Sequence, residues 1–114
     1  DYPRLGRGGD WLAEYGNPDD PAQRAVLVAY SPLHNIQPGT VYPATLITTS
    51  DDDPRVGEAH SLRFAERLQA AQTGTAPILL RVDPGGGHGD QPSRAQWLER
   101  TAHRLAFFAV HLGL

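Results

Sequence analysis

Two short segments of β-forming residues, 42–50 and 77–82, set apart by one stretch of helical period, constrain this chain more than any other feature. Tyr42-Pro43-Ala44-Thr45-Leu46-Ile47-Thr48-Thr49-Ser50 is apolar or Thr at almost every position. That is the pattern of a strand buried on both faces, as in a parallel sheet. Pro77-Ile78-Leu79-Leu80-Arg81-Val82 is a second, shorter strand. Between them, residues 59–72 carry Leu62, Ala65, Leu68 and Gln72 on one stripe with Phe64 beside it. This spacing predicts a helix, stopped by Gly74. Parallel strands need such a crossover, and its default hand is right-handed.

The flanks complete the pattern. Residues 1–23 are rich in Gly, Pro and Asp and read as loop with a helical turn around Trp11. Asp20 is placed to cap a helix with Pro21 at its first position. That helix runs to about Tyr30, where Ser31-Pro32 ends it; Val26 and Val28 also suit a strand. Ser93 caps a long helix over 93–112, with Leu98, Thr101, Leu105, Phe108 and Leu112 as its apolar stripe. The order is loop, helix, strand, helix, strand, helix, a βαβα unit of the α/β class. Two strands alone make no stable sheet, so further strands are expected from a longer protein or from another copy through exposed strand edges. A start at Asp1-Tyr2-Pro3-Arg4, without Met, adds to the expectation of a piece of a longer chain.

Composition narrows the function. The 114 residues are 39% hydrophobic and 20% charged, ordinary for a globular domain and unlike a disordered one. The net charge is -3 and the ten basic residues, all Arg, are scattered. No basic field exists to attract nucleic acid. No apolar run approaches the roughly 18 residues that span a bilayer. With no Cys, disulfides and thiolate metal sites are excluded.

In open α/β sheets, chemistry sits beyond the carboxyl ends of the strands. Asp51-Asp52-Asp53-Pro54-Arg55-Val56 follows the first strand, and Gly85-Gly86-Gly87-His88-Gly89 follows the second. An Asp after one strand and a His after the next is the Asp-then-His order of a hydrolase triad. The Asp would fix the imidazole tautomer while the His takes a proton from a Ser. A metal site from Asp51, Asp52, Asp53 and His88 is the alternative, which the strand-end context disfavours. His34, His60, His103 and His111 read as structural.

Longer motifs add a family. Tyr30-Ser31-Pro32-Leu33-His34-Asn35 resembles a YSPLHN stretch. Tyr42-Pro43 through Asp53-Pro54-Arg55-Val56 and on to His60-Ser61-Leu62-Arg63-Phe64 resembles a YP…D-x-RV…HS pattern. Gly87-His88-Gly89 is similar to an AGHG turn, and Trp11 with Glu14-Tyr15-Gly16 to a W-x-x-(D/E)-YG segment. All are features of the prolyl oligopeptidase family of serine peptidases, and they run in order over essentially the whole chain. Pro54 departs from the family's Asp, and Gly57-Glu58 from its Val-Pro.

The resemblance implies the C-terminal portion of an α/β-hydrolase catalytic domain, with parallel strands flanked by helices. It implies Asp53, two residues before Arg55, as the triad Asp and His88 as the triad His. It also implies Arg55 as a clamp on a substrate carbonyl and Trp11 as the aromatic that stacks on the substrate proline. Tyr15 becomes a pocket hydroxyl near the oxyanion and Val56 an apolar wall. The implied substrate is a proline-containing peptide, and no cofactor or metal is called for. No Gly-x-Ser-x-Gly occurs; the serines are Ser31, Ser50, Ser61 and Ser93. The nucleophile and the family's propeller are therefore expected in a missing N-terminal part, and the 114 residues alone are expected to be inactive. The competing readings are another α/β-hydrolase, an esterase or aminoacyl-peptidase, and a stand-alone module that dimerises through its strand edges.

Overall fold

The computed structural model describes residues 2–89 and 92–114. Two 3₁₀ turns, Tyr2–Arg4 and Gly8–Trp11, lead into the one-turn helix α1 (Leu12–Tyr15). Helix α2 (Pro21–Tyr30), strand β1 (Thr45–Ser50), helix α3 (Ala59–Ala71), strand β2 (Ile78–Asp83) and helix α4 (Arg94–Leu112) follow. The Asp20 carboxylate accepts the backbone N–H groups of Ala22 and Gln23, and Pro21 opens α2. These cap bonds start the helix, and Val26 and Val28 follow it as helical residues despite their β preference.

The two strands are parallel, with Thr45 opposite Ile78 and Ser50 opposite Asp83. β1 begins three residues later than its apolar run. Pro43 has no N–H to give a ladder, and the Tyr42 N–H is taken by the Gln72 side-chain carbonyl at 2.9 Å. The sequence pattern sets Gln72 on the same helical stripe as Leu62, Ala65 and Leu68. Instead it is the extended residue at which the chain leaves the helix, two residues ahead of Gly74. Its side-chain amide donates to the carbonyls of Tyr42 at 2.8 Å and Ala76 at 2.9 Å, clasping the entrances to both strands.

The core lies on the α3 side of the sheet. Ile36, Leu68, Ala71 and Ile78 are buried together, with Tyr42, Ile47 and Phe64 against them. Each buried large aliphatic there contributes roughly 1.5–3 kcal/mol. Side chains alternate across a strand, so Arg81 and Asp83 point the other way, toward α4. Asp83 is buried and takes Arg81 Nε at 2.7 Å and Arg100 Nε at 3.1 Å. Arg81 also meets Glu99 at 3.7 Å and the ring of His103.

One expectation is corrected here. β1 is not buried on both faces, since none of its residues is fully buried and Thr48 is exposed; on β2, Leu79 and Val82 are 46% and 40% exposed. The apolar stripe of α4 does not pack on β2. Leu98, Leu105, Phe108 and Leu112 are exposed by half or more. A charged pair on β2 draws the Glu99, Arg100 and His103 face of α4 toward the sheet, across an open cleft of about 800 Å³. The apolar face is thereby turned outward. The molecule is correspondingly open. Its radius of gyration is 16.2 Å, against about 13 Å for a compact domain of this length.

Candidate active site

The loop after β1 is shaped by a single carboxylate. Asp53 Oδ1 accepts the backbone N–H groups of Arg55 at 2.9 Å and Val56 at 2.8 Å, closing a turn of the kind Asp side chains favour. Oδ2 is left facing the next strand's loop, where His88 Nδ1 lies 2.8 Å away. A carboxylate only accepts, so Nδ1–H is the donor, and in the neutral imidazole the lone pair is then on Nε2. The Asp53 side chain is 15% exposed and that of His88 43%. Burial pushes the Asp53 carboxyl up. The hydrogen bonds from the Val56 N–H, His88 and the Arg55 N–H outweigh it and hold the carboxyl below the usual carboxylate range.

The three acids of the run have different partners. Asp51 Oδ1 accepts the Gly85 N–H at 2.7 Å, and the Asp52 N–H donates to Ser50 Oγ at 3.3 Å. Only Asp53 meets His88 among the described residues, so the four groups do not converge as a metal cage would.

Arg55 pairs with neither Asp51 nor Asp52 among the described residues. Its guanidinium lies over the Trp11 ring, 5.7 Å from the centroid. The approach is fixed by the backbone: the Arg7 N–H donates to the Arg55 carbonyl at 2.9 Å, tying the opening turns to the Asp53 loop. Val56, partly exposed, follows directly. The structure thus brings Trp11, Asp53, Arg55, Val56 and His88 together. Tyr15 stands apart at the end of α1, 53% exposed. Its ring meets the Tyr2 ring edge-on, with centroids 6.5 Å apart. It makes no hydrogen bond to the other five among the described residues.

Three of the other four histidines have partners of their own. His34 Nδ1 is 2.8 Å from Ser31 Oγ, His103 meets Arg81, and His111 lies against Phe107 with centroids 4.6 Å apart. His60, in the first turn of α3, has its imidazole pKa lowered by burial and by the nearby Arg63. Sequence reasoning missed the partners of Asp51 and of Arg100. Asp51 was visible in the acidic run, but nothing local marks a bond across 34 residues. Arg100 carries no motif at all.

With this geometry in hand, the chain can be compared with known proteins. The sequence model of the prolyl oligopeptidase family matches residues 8–114. Prolyl endopeptidase of Elizabethkingia meningoseptica is 39% identical over 99% of this chain and 16% of its own. Prolyl oligopeptidase A of Amanita bisporigera is 38% identical over 99% of this chain and 15% of its own. A solved structure of prolyl oligopeptidase B from Galerina marginata, a mutant bound to a 35mer hydrolysis and macrocyclization substrate, matches with a TM-score of 0.88. It is 34% identical and covers 99% of this chain and 16% of that one. The chain therefore spans about one sixth of the length of the relatives it matches.

Proposed function

Because the chain belongs to the prolyl oligopeptidase family, we propose that it supplies the Asp and His of a Ser-His-Asp triad in a larger peptidase that cleaves short peptides after proline. The observation that carries this reading is the 2.8 Å contact between Asp53 Oδ2 and His88 Nδ1. The nucleophile comes from the rest of the parent protein. None of the four serines here lies between glycines, and Ser31, Ser50 and Ser93 are engaged in local hydrogen bonds.

The chemistry follows from the tautomer. Nε2 of His88 takes the proton of the serine hydroxyl as its Oγ attacks the carbonyl of the proline residue. The imidazolium so formed is stabilised by Asp53, whose lowered pKa keeps it ionised through the neutral range. The imidazolium then protonates the leaving amine, and a water activated by the same Nε2 releases the acyl group. The C-terminal piece of the catalytic domain thus carries general-base machinery without a nucleophile, and alone it is inactive.

Specificity is assigned to the Trp11 side. A proline ring is rigid and lacks an N–H, so a flat indole selects it by area and shape. The Arg55 guanidinium, held at the indole, is a planar donor for the neighbouring carbonyl, and Val56 is an apolar wall. Tyr15, four residues beyond Trp11, is assigned to the outer rim of the pocket.

The test uses the full-length peptidase on a proline-containing chromogenic peptide and on a short ester. The peptide is expected to be the better substrate, and Asp53→Asn is expected to lower kcat by about 10⁴ through the wrong tautomer. Preference for the ester, or an Asp53→Asn loss of less than about tenfold, contradicts the reading.

A further inference from the structure

We infer that Asp51 is a positioning residue for His88, acting through the backbone of Gly85; this rests on the triad reading above. The strands end in register at Ser50 and Asp83, with one more ladder-like bond from the Asp51 N–H to the Asp83 carbonyl at 3.2 Å. Beyond it the two loops diverge, and among the described residues two side-chain bonds span the gap. One is the Asp53–His88 contact itself. The other is Asp51 Oδ1 with the Gly85 N–H at 2.7 Å, a short, charge-assisted bond.

The turn that Asp51 grips has a fixed underside. Gly85 has φ +62°, a left-handed conformation that glycine adopts without penalty. A Cβ on Gly86 would lie 2.7 Å from an Arg100 guanidinium nitrogen and 3.2 Å from Ser50 Oγ. Asp83 below it is clamped by Arg81 and Arg100. The turn is thus seated on β2 and α4, and Asp51 is what ties it sideways to the loop that holds Asp53. Two carboxylates two residues apart divide the work: Asp51 places the backbone that carries the imidazole, and Asp53 orients the ring. Misplacing a catalytic group by about 1 Å can cost about 100-fold. The loss should fall on kcat, because Trp11 and Arg55 are untouched.

The test again uses the full-length peptidase, with Asp51→Ala, Asp51→Asn and Asp53→Asn compared on the chromogenic peptide. The readouts are kcat, KM, the thermal midpoint and the downfield proton resonance of His88 Nδ1–H. Asp51→Ala is expected to lower kcat by roughly 10- to 100-fold, leave KM within about twofold, and broaden that resonance. Asp51→Asn keeps an acceptor oxygen and is expected to stay within about threefold of the wild type. An unchanged kcat and resonance in Asp51→Ala overturns the inference. So does a loss of kcat whose only accompaniment is a lowered thermal midpoint, with the resonance intact. Should Asp51→Ala fail to fold, Asp51→Glu serves in its place, and an unchanged kcat and resonance there overturns the inference equally. Asp53→Asn separates the two levels: if it stays near wild type the triad reading fails, whereas if it alone loses activity only the role of Asp51 fails.

Discussion

Asp53 uses one oxygen to shape its own loop and the other to hold His88. Its position in the run Asp51-Asp52-Asp53 could not be separated by residue type, and the strand-end argument left all three acids open. Family resemblance chose Asp53, and the geometry pairs that residue with His88. The loop bonds also make Asp53 a stability element. Its native pKa lies below the unfolded value, so its contribution is complete above about pH 4 and is lost as pH falls through the lower native pKa. Urea unfolding of the full-length protein at pH 7 and pH 3 is expected to show a shallower acid loss in Asp53→Asn than in the wild type. Equal acid losses would place the depressed pKa elsewhere. Arg55, two residues past the run of acids, sits over Trp11, because the Arg7–Arg55 backbone bond brings the opening turns against it.

Strands and helices were legible because their signals are local. Asp20 with Pro21, and Ser93, cap their helices as the sequence suggests, and the structure adds Gln96 to complete a capping box at Ser93. The apolar runs of β1 and β2 are where they were expected to within three residues. The orientation of α4 was not legible. Its apolar stripe marks a helix without saying what it faces, and what contacts β2 is decided by the buried charge of Asp83, 17 residues from Arg100 in sequence. Polar seams of this kind are costly to break. Asp83→Ala leaves two partly buried guanidinium groups without their carboxylate, and a loss of about 3 kcal/mol is expected. Urea denaturation of the full-length protein measures it; a change below about 0.5 kcal/mol, as for an ordinary surface substitution, would show that the seam contributes nothing.

Taken whole, the chain exposes 7787 Å², where a compact protein of its mass exposes about 6,100 Å². Much of the excess is apolar: the outward stripe of α4, and Leu79 and Val82 on the sheet. Apolar surface on this scale marks a face that something covers. We assign the cover to the remainder of a parent hydrolase domain, in keeping with a chain that spans 16% of its relatives. On this account catalysis is divided within one polypeptide: the base and its orienting carboxylate lie here, and the serine lies outside. The most direct measurement is to label the full-length protein with a fluorophosphonate and map the adduct by mass spectrometry, in the wild type and in His88→Ala. The account predicts one modified serine, outside these 114 residues, whose labelling collapses in the variant. Labelling that survives loss of His88, or an adduct on Ser31, Ser50, Ser61 or Ser93, would contradict it.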